Sequence, residues 1–467
     1  MATISSPGIG SGLDVNSIVT QLMAIEKQPL DALQTKQTTI QSTISEYGKI
    51  QSAVSTLNDL AAKLAGTSAW KQTVSNSSST AVTAATNNSA PGTYTVTVQS
   101  LASVQTIATG TPVPASTTPG AGTLHIELGT YGANQASFTP KAGATAVDVA
   151  IAATDTLADV RDKINAAGAG VTALIMTDAS GSRLLIRSND SGAANAFRTS
   201  GIASLAFDPS AGVTTMVQSQ TAADAQATVN GLAVTSSSNS LSNIVDGLTL
   251  NLANVTTDPV TVNVVTDTDA LKKTISDFAA AYTAVVKLIG TDTKYDAATK
   301  TGGVLQGDSA AVGIQRQLRT LAGSLSAASA TFGHLSDVGL ELQADGSMTV
   351  NDSKLGNALG NLAELKKMFA NSDATDPTQD GFAKRFRVAT DLMLGIDGAV
   401  TTRTAGLNAQ LQRNEKDQDT WNTRLDQIEQ RLRAQYTALD AVMAQLSTQS
   451  SYLTQQIAQY NASSSSK

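Results

Sequence analysis

Heptad spacing at both ends of the chain constrains its fold more than any other feature. Near the N-terminus, Leu33, Ile40, Tyr47, Val54 and Ala61 recur every seven residues. Ile50, Leu57 and Leu64 follow the last three of these by three residues. This is the a/d pattern of a helix with one apolar seam, weakened early by Lys36 and Thr43 at d. A shorter helix precedes it. Asp14 is a good N-cap, and Val15, Ile18, Leu22 and Ile25 follow at helical spacing. Gln28-Pro29 separates the two, because the residue before proline avoids the α region and proline suits a first helical turn. Gly66 is a natural stop.

The C-terminal pattern is longer. Leu411, Leu425, Leu432, Leu439, Leu446, Leu453 and Tyr460 share one heptad phase, broken by Gln418. Leu407, Trp421, Ile428 and Val442 take d positions, and Ile457 extends the apolar face. A helix of about 55 residues would reach roughly 80 Å. Asn414, Gln435, Gln449 and Gln456 also fall at d. Polar d residues either fix register at a cost in stability or face water where the partner helix ends; the spacing leaves both open. Two heptad ends in one chain can pair antiparallel, which makes the middle an insertion between the halves of a helical stem.

That middle, from about residue 74 to 263, is rich in Thr, Val, Ser, Gly and Ala in short alternations. Residues 94–98 (YTVTV) read as a half-buried strand after a Pro-Gly turn. Residues 227–235 read as a hairpin around Asn230-Gly231. Residues 248–252 and 260–264 alternate likewise. A short helix at 157–167 puts Leu157, Val160 and Ile164 on one face, followed by strands at 171–176 and 184–187. Helix returns at Asp269, read as an N-cap, with Leu271, Ile275, Phe278, Tyr282, Val285 and Ile289 on one face. Further helices are predicted at 309–321, 353–369 and 382–394, with a hairpin around residues 344–346.

Composition narrows the function. The net charge is −7, and no clustered Lys/Arg face favours nucleic acid. No apolar run is long enough to insert in a membrane. Cysteine is absent and only His125 and His334 exist, so no thiolate zinc site or His-x-x-x-His pair is available. No nucleophile elbow or phosphate loop appears. Gly8, Gly10 and Gly12 lack the strand that a dinucleotide loop needs. Asp267 and Asp269 lack the glycine and terminal glutamate of a calcium loop. No cofactor is expected, and the chain reads as an assembly subunit rather than an enzyme. The N-terminus has no basic and apolar leader, so export would need a route without a cleaved signal.

Residues 8–30 (GIGSGLDVNSIVTQLMAIEKQPL) closely resemble the N-terminal signature of the flagellar filament cap family, also called flagellar hook-associated protein 2. Residues 267–275, 293–296, 305–309, 335–339, 434–440 and 450–456 resemble the family's C-terminal pattern. Residues 156–196 are similar to a motif shared by flagellins and hook-associated proteins. The resemblance implies an α+β multidomain fold, with N- and C-terminal helices paired as a coiled-coil leg, a helical stem domain and inserted β-rich outer domains. On that plan 1–35 and 431–467 are the two arms of the leg. Residues 36–75 and 268–430 make the stem, 76–110 and 222–267 an inner β domain, and 111–221 an outer one.

It also implies a structural cap at the filament tip that helps exported flagellin fold and insert. The implied partners are a ring of about five copies, flagellin, the hook–filament junction protein and a cytosolic export chaperone on the C-terminal helix. The implied location is extracellular, reached through the flagellar type III system. Outer β domains in this family also suggest adhesion. The expected assembly residues are Val15, Ile18, Leu22, Ile25, Leu33, Ile40, Tyr47, Val54, Leu57, Leu425, Ile428, Leu432, Leu439, Val442, Leu446, Leu453 and Ile457. The arms at 1–35 and 430–467 are expected to order on assembly. Flagellin and the junction protein share helical ends around a variable middle, but the text at 8–30 separates this chain from both. A secreted adhesin leaves the terminal heptads unexplained.

Overall fold

In the computed structural model, residues 14–464 are described; Gly8, Gly10 and Gly12 lie outside them. Nine α-helices occur among the described residues: α1 (Val15–Glu26), α2 (Gln28–Ala65), α3 (Leu157–Ala166), α4 (Thr268–Thr293), α5 (Ser309–Ala322), α6 (Asp352–Leu359), α7 (Leu362–Ala370), α8 (Phe382–Leu394) and α9 (Ala399–Ser464). The chain divides into two units. Met1–Thr67 and Lys272–Lys467 form a helical unit, and Ser68–Leu271 forms a β unit.

The helical unit is built around α2. Its apolar positions Tyr47, Ile50, Val54, Leu57, Ala61 and Leu64 are fully buried. They meet α8 as well as α9. The heptad face of α2 therefore sits in a helical bundle rather than in a two-stranded seam alone. Phe278 and Tyr282 of α4 meet Phe386 of α8 edge-on, with ring centroids 5.2 and 5.9 Å apart. Such contacts place the positive edge of one ring on the negative face of the next.

Caps set the helix ends, and several differ from the sequence reading. Asp14 caps α1 through a 3.0 Å bond from Ser17 N. The break falls at Lys27, and Gln28 is already helical, with Pro29 in the first turn of α2. Gly66 ends α2 with φ of −79°, so it stops the helix in extended rather than left-handed form. Asp267, not Asp269, caps α4, accepting from Ala270 N at 2.8 Å. The helix expected over 353–369 is two, α6 and α7, separated at Gly360 and restarted by Asn361, whose side chain accepts from Glu364 N. The stretch 36–75 is helical to Ala65 and becomes a strand at Thr73.

The β unit contains two sandwiches in sequence. The first pairs a five-stranded antiparallel sheet with a three-stranded one, Ser240–Val245, Leu248–Leu252 and Val82–Thr86. In the larger sheet the order is Thr73–Ser77, Val260–Thr266, Gly92–Ser100, Ala225–Val229, Leu232–Ser236. The alternating valines Val96, Val98, Val262 and Val264 point into the shared core with Leu250 and Leu252. The second sandwich, within 106–220, has its own core of Ile126, Ile164, Leu184, Ile186, Phe197 and Phe207, with α3 packed on it. Where the chain crosses between the two, Ser103 and Ala223 exchange backbone hydrogen bonds of 2.9 and 3.2 Å.

The Asn230-Gly231 hairpin forms as its sequence predicts, with φ of 50° and 80°. Glycine, and asparagine in turns of this kind, enter that region readily, whereas a β-branched residue loses about 1–2 kcal/mol there. Gly231→Val should therefore destabilise the first sandwich by about that amount, read by chemical denaturation of the full chain. An unchanged midpoint would show that the turn relaxes freely.

Candidate assembly interface

The residues expected to mediate assembly separate into three groups. Ile40, Tyr47, Val54 and Leu57 are buried in the helical bundle of one chain. They are consumed internally, because α8 and α9 already cover them, and they cannot meet a neighbour directly. Val15, Leu425 and Ile428 are buried where α1 lies against α9; Leu432 is half-buried there, and Ile18, Leu22 and Leu33 are half-buried. Leu439, Val442, Leu446, Leu453 and Ile457 on α9 are exposed, by 45, 51, 54, 56 and 60%. Ile25 is also exposed, because α1 turns a different stripe inward.

That stripe is Val15, Val19 and Met23, four residues apart and continued by Leu30. It packs on Leu425 and Ile428, with Trp421, Leu432 and Tyr436 alongside. Trp421 Nε1 donates to Glu26 O at 3.3 Å, and Arg433 donates to Asn16 Oδ1 at 3.0 Å. Rising numbers on one helix meet falling numbers on the other, so α1 and α9 are antiparallel. Val19, Met23 and Tyr436 were not singled out from spacing. The stripe Val19 and Met23 lies one residue beyond Ile18 and Leu22 in the sequence, and because both stripes are apolar the spacing alone did not choose between them.

Further along α9 the apolar line runs Ile428, Leu432, Tyr436, Leu439, Met443, Leu446, Leu453, Ile457 and Tyr460. Two successive four-residue steps, at 428–432 and 432–436, shift the line by one position. Such a stutter locally unwinds a heptad seam. Gln435, Gln449 and Gln456 therefore stand beside the line and are exposed. Asn414, upstream of the shift, is buried and accepts from Gln418 Nε2 at 2.7 Å, and Gln418 in turn donates to Gln37 Oε1 of α2 at 3.1 Å. The polar d positions thus split: Asn414 belongs to a cross-helix amide layer, and the three glutamines face water.

Below that layer an ionic node fixes α2, α5 and α9. Asp308 caps α5, accepts from Tyr47 Oη at 2.7 Å and from Arg403 Nε at 2.9 Å, and is almost fully buried. Burial pushes its carboxyl up, but the hydrogen bonds from Tyr47, Ala311 N and Arg403 outweigh that and hold it below the usual range. Burial and the Asp308 contact push the Tyr47 phenol up.

The exposed side chains of His125 and Asp148 lie side by side on two paired strands, and His334 starts the short turn Leu335–Val338; the two histidines share no site. Among the described residues no helix is long and apolar enough to cross a membrane.

Models of the flagellar hook-associated protein 2 N-terminus and C-terminus match residues 11–105 and 222–448, and a flagellin hook IN motif matches 129–190. The chain is 32% identical to flagellar hook-associated protein 2 of Escherichia coli K12 over 475 residues, covering 98% of each. It is 28% identical to the A-type flagellar hook-associated protein 2 of Pseudomonas aeruginosa, covering 96% of each. A crystal structure of three domains of the flagellar cap protein from Escherichia coli superposes with a TM-score of 0.59 at 30% identity, covering 78% of this chain and 99% of that one.

Proposed function

The chain belongs to the flagellar hook-associated protein 2 family of structural flagellar cap proteins, which are not enzymes, and we propose that it caps the distal end of the filament. In this reading it promotes folding and insertion of exported flagellin subunits and prevents their loss. It travels through the flagellar type III route, with an export chaperone on α9, and meets the hook–filament junction protein before flagellin.

One observation supports assembly most directly. The apolar line of α9 from Leu439 to Ile457 runs for about 27 Å, and its leucines, Met443 and Ile457 are 40–60% exposed in one chain. Each leucine newly buried contributes about 1.5–3 kcal/mol, so a neighbouring copy gains by covering it. A closed ring of about five copies satisfies every such line at once. The arms at 1–35 and 431–467 are the leg of this assembly, 36–75 and 268–430 its stem, and 76–110 with 222–267 and 111–221 its inner and outer β domains. A strain lacking the protein should shed monomeric flagellin into the medium and carry no filaments. Normal filaments in that strain would overturn the cap reading.

The second sandwich has a self-contained core, which suits it to a separate adhesive role. Deleting 111–221 should then reduce binding to epithelial cells or mucin while motility persists. Unchanged binding would count against that role.

A further inference from the structure

One cavity of the β unit is lined by buried hydroxyls that the chain itself does not satisfy. Its volume is about 410 Å³, within the range of small-molecule sites, about 300–1,000 Å³. Trp70 and Lys71 line it from the short helical turn Ala69–Lys71, and Thr73 from the start of the strand Thr73–Ser77. Asn88 and Ser89 line it from the turn after Val82–Thr86, and Asp246 from the turn after Ser240–Val245. Those two turns are locked together. Asn87 N donates to Gly247 O at 2.7 Å, and a Cβ on Gly247 would come within 2.4 Å of Asn87 O. Asn88 is left-handed, with φ of 55°, a sparsely populated conformation that gathers at ligand clamps.

Ser89 is 2% exposed, and its hydroxyl has no hydrogen-bond partner among the described residues. The Thr73 hydroxyl is likewise buried and unpaired. A buried hydroxyl without a partner bears the full cost of leaving water. Two of them on one cavity mark a place where something outside the chain supplies the partner. Each reaches a new direction by rotation about a single bond.

The lining selects the chemistry of that occupant. Among the described residues that line the cavity, Lys71 and Asp246 alone are charged. They offset each other, so the cavity favours neither an anion nor a cation. A purely apolar occupant would leave both hydroxyls unpaired. Water alone would leave the apolar surface of Trp70, Pro91 and Val245 uncovered. A sugar ring meets every condition. It is neutral, its hydroxyls donate and accept as those of serine do, and its C–H face packs on an indole ring. We propose that this cavity is a binding site for a neutral pyranose, with the ring on Trp70 and its hydroxyls on Ser89, Thr73 and Asn88. The site lies in the first sandwich, outside 111–221, and does not rest on the adhesive role of the second.

The two tryptophans of the chain, Trp70 and Trp421, give two indole signals in the full protein labelled with nitrogen-15. Titration with glucose, galactose, mannose and N-acetylglucosamine should move the Trp70 signal saturably for at least one sugar and leave Trp421 unmoved. The methyl glycoside of that sugar binds equally if the ligand is the end of a glycan chain, and more weakly if it is the free sugar. Ser89→Ala should weaken binding about tenfold. Its melting temperature should stay the same or rise, because the free chain loses a group that it never paired. A Trp70 signal that no sugar moves, or that only a neutral capped dipeptide moves, would overturn the site. So would a Ser89→Ala variant that melts lower at unchanged affinity, since the hydroxyl would then be paired within the free chain.

Discussion

Replacing Leu446 and Leu453 together by Asp is expected to abolish assembly while leaving the single chain folded. Both side chains are more than half exposed in one chain, so neither contributes to its core, and their loss leaves the melting of the helical unit unchanged. In the proposed assembly each would be buried against a neighbour. Losing two leucines removes about 3–6 kcal/mol per copy, or two to four orders of magnitude in the association constant. A buried aspartate raises the penalty further. Sedimentation velocity at fixed concentration separates ring from monomer, and a motility assay reports the same defect in the cell. A sharper internal control is Leu425→Asp. Leu425 is buried under α1, so that change should expose α1 and lower helical content even in a monomer. If the double variant assembles as the wild type does, the α9 line is not the interface. If it unfolds the monomer, the line is covered within one chain.

How far the sequence revealed this depends on which force set each position. Local chemistry was readable. Asn230-Gly231 demanded a left-handed turn and produced one, and Thr156 capped α3 through the pairing with Asp159 that its spacing permits. Periodicity was readable where one phase holds: every a/d residue from Tyr47 to Leu64 is buried. It misled where the phase slips. A strict count of seven runs through Gln435, Gln449 and Gln456, whereas the two four-residue steps at 428–436 move the apolar line to Tyr436, Met443 and Ile457. Adjacent capping candidates also misled, since Asp267 and Asp269 flank the same helix start and only backbone direction chooses between them. Least readable were contacts between residues distant in the chain. Phe197 and Phe207 lie in short strands whose burial depends on Gly122–Tyr131 pairing from far upstream. Nothing in the text near Tyr47 announces Asp308 or Arg403. Those pairings exist only once α2, α5 and α9 have packed.

The Asp308 node yields the second large effect. Asp308→Ala is expected to destabilise the helical unit by about 3–5 kcal/mol, the usual result of leaving one partner of a buried ion pair uncompensated. Three losses coincide: Arg403 and the Tyr47 hydroxyl lose their acceptor, and α5 loses its N-cap. Asp308→Asn restores an acceptor and a cap but not the charge, so its loss should be smaller. The effect depends on pH with a definite sign. The Asp308 carboxyl is held below its ordinary value. A depressed folded-state pKa gives stability that is present above the unfolded value, about 3.9 for aspartate, and lost as pH falls through the folded value. The gap between wild type and Asp308→Ala should therefore be full near neutrality and close in strong acid. Urea unfolding followed by helical circular dichroism measures it. A gap that stays constant into strong acid would mean the loss comes from packing and capping alone. A variant as stable as the wild type would show that Arg403 and Tyr47 find other partners, and that this node does not hold α2 to α9.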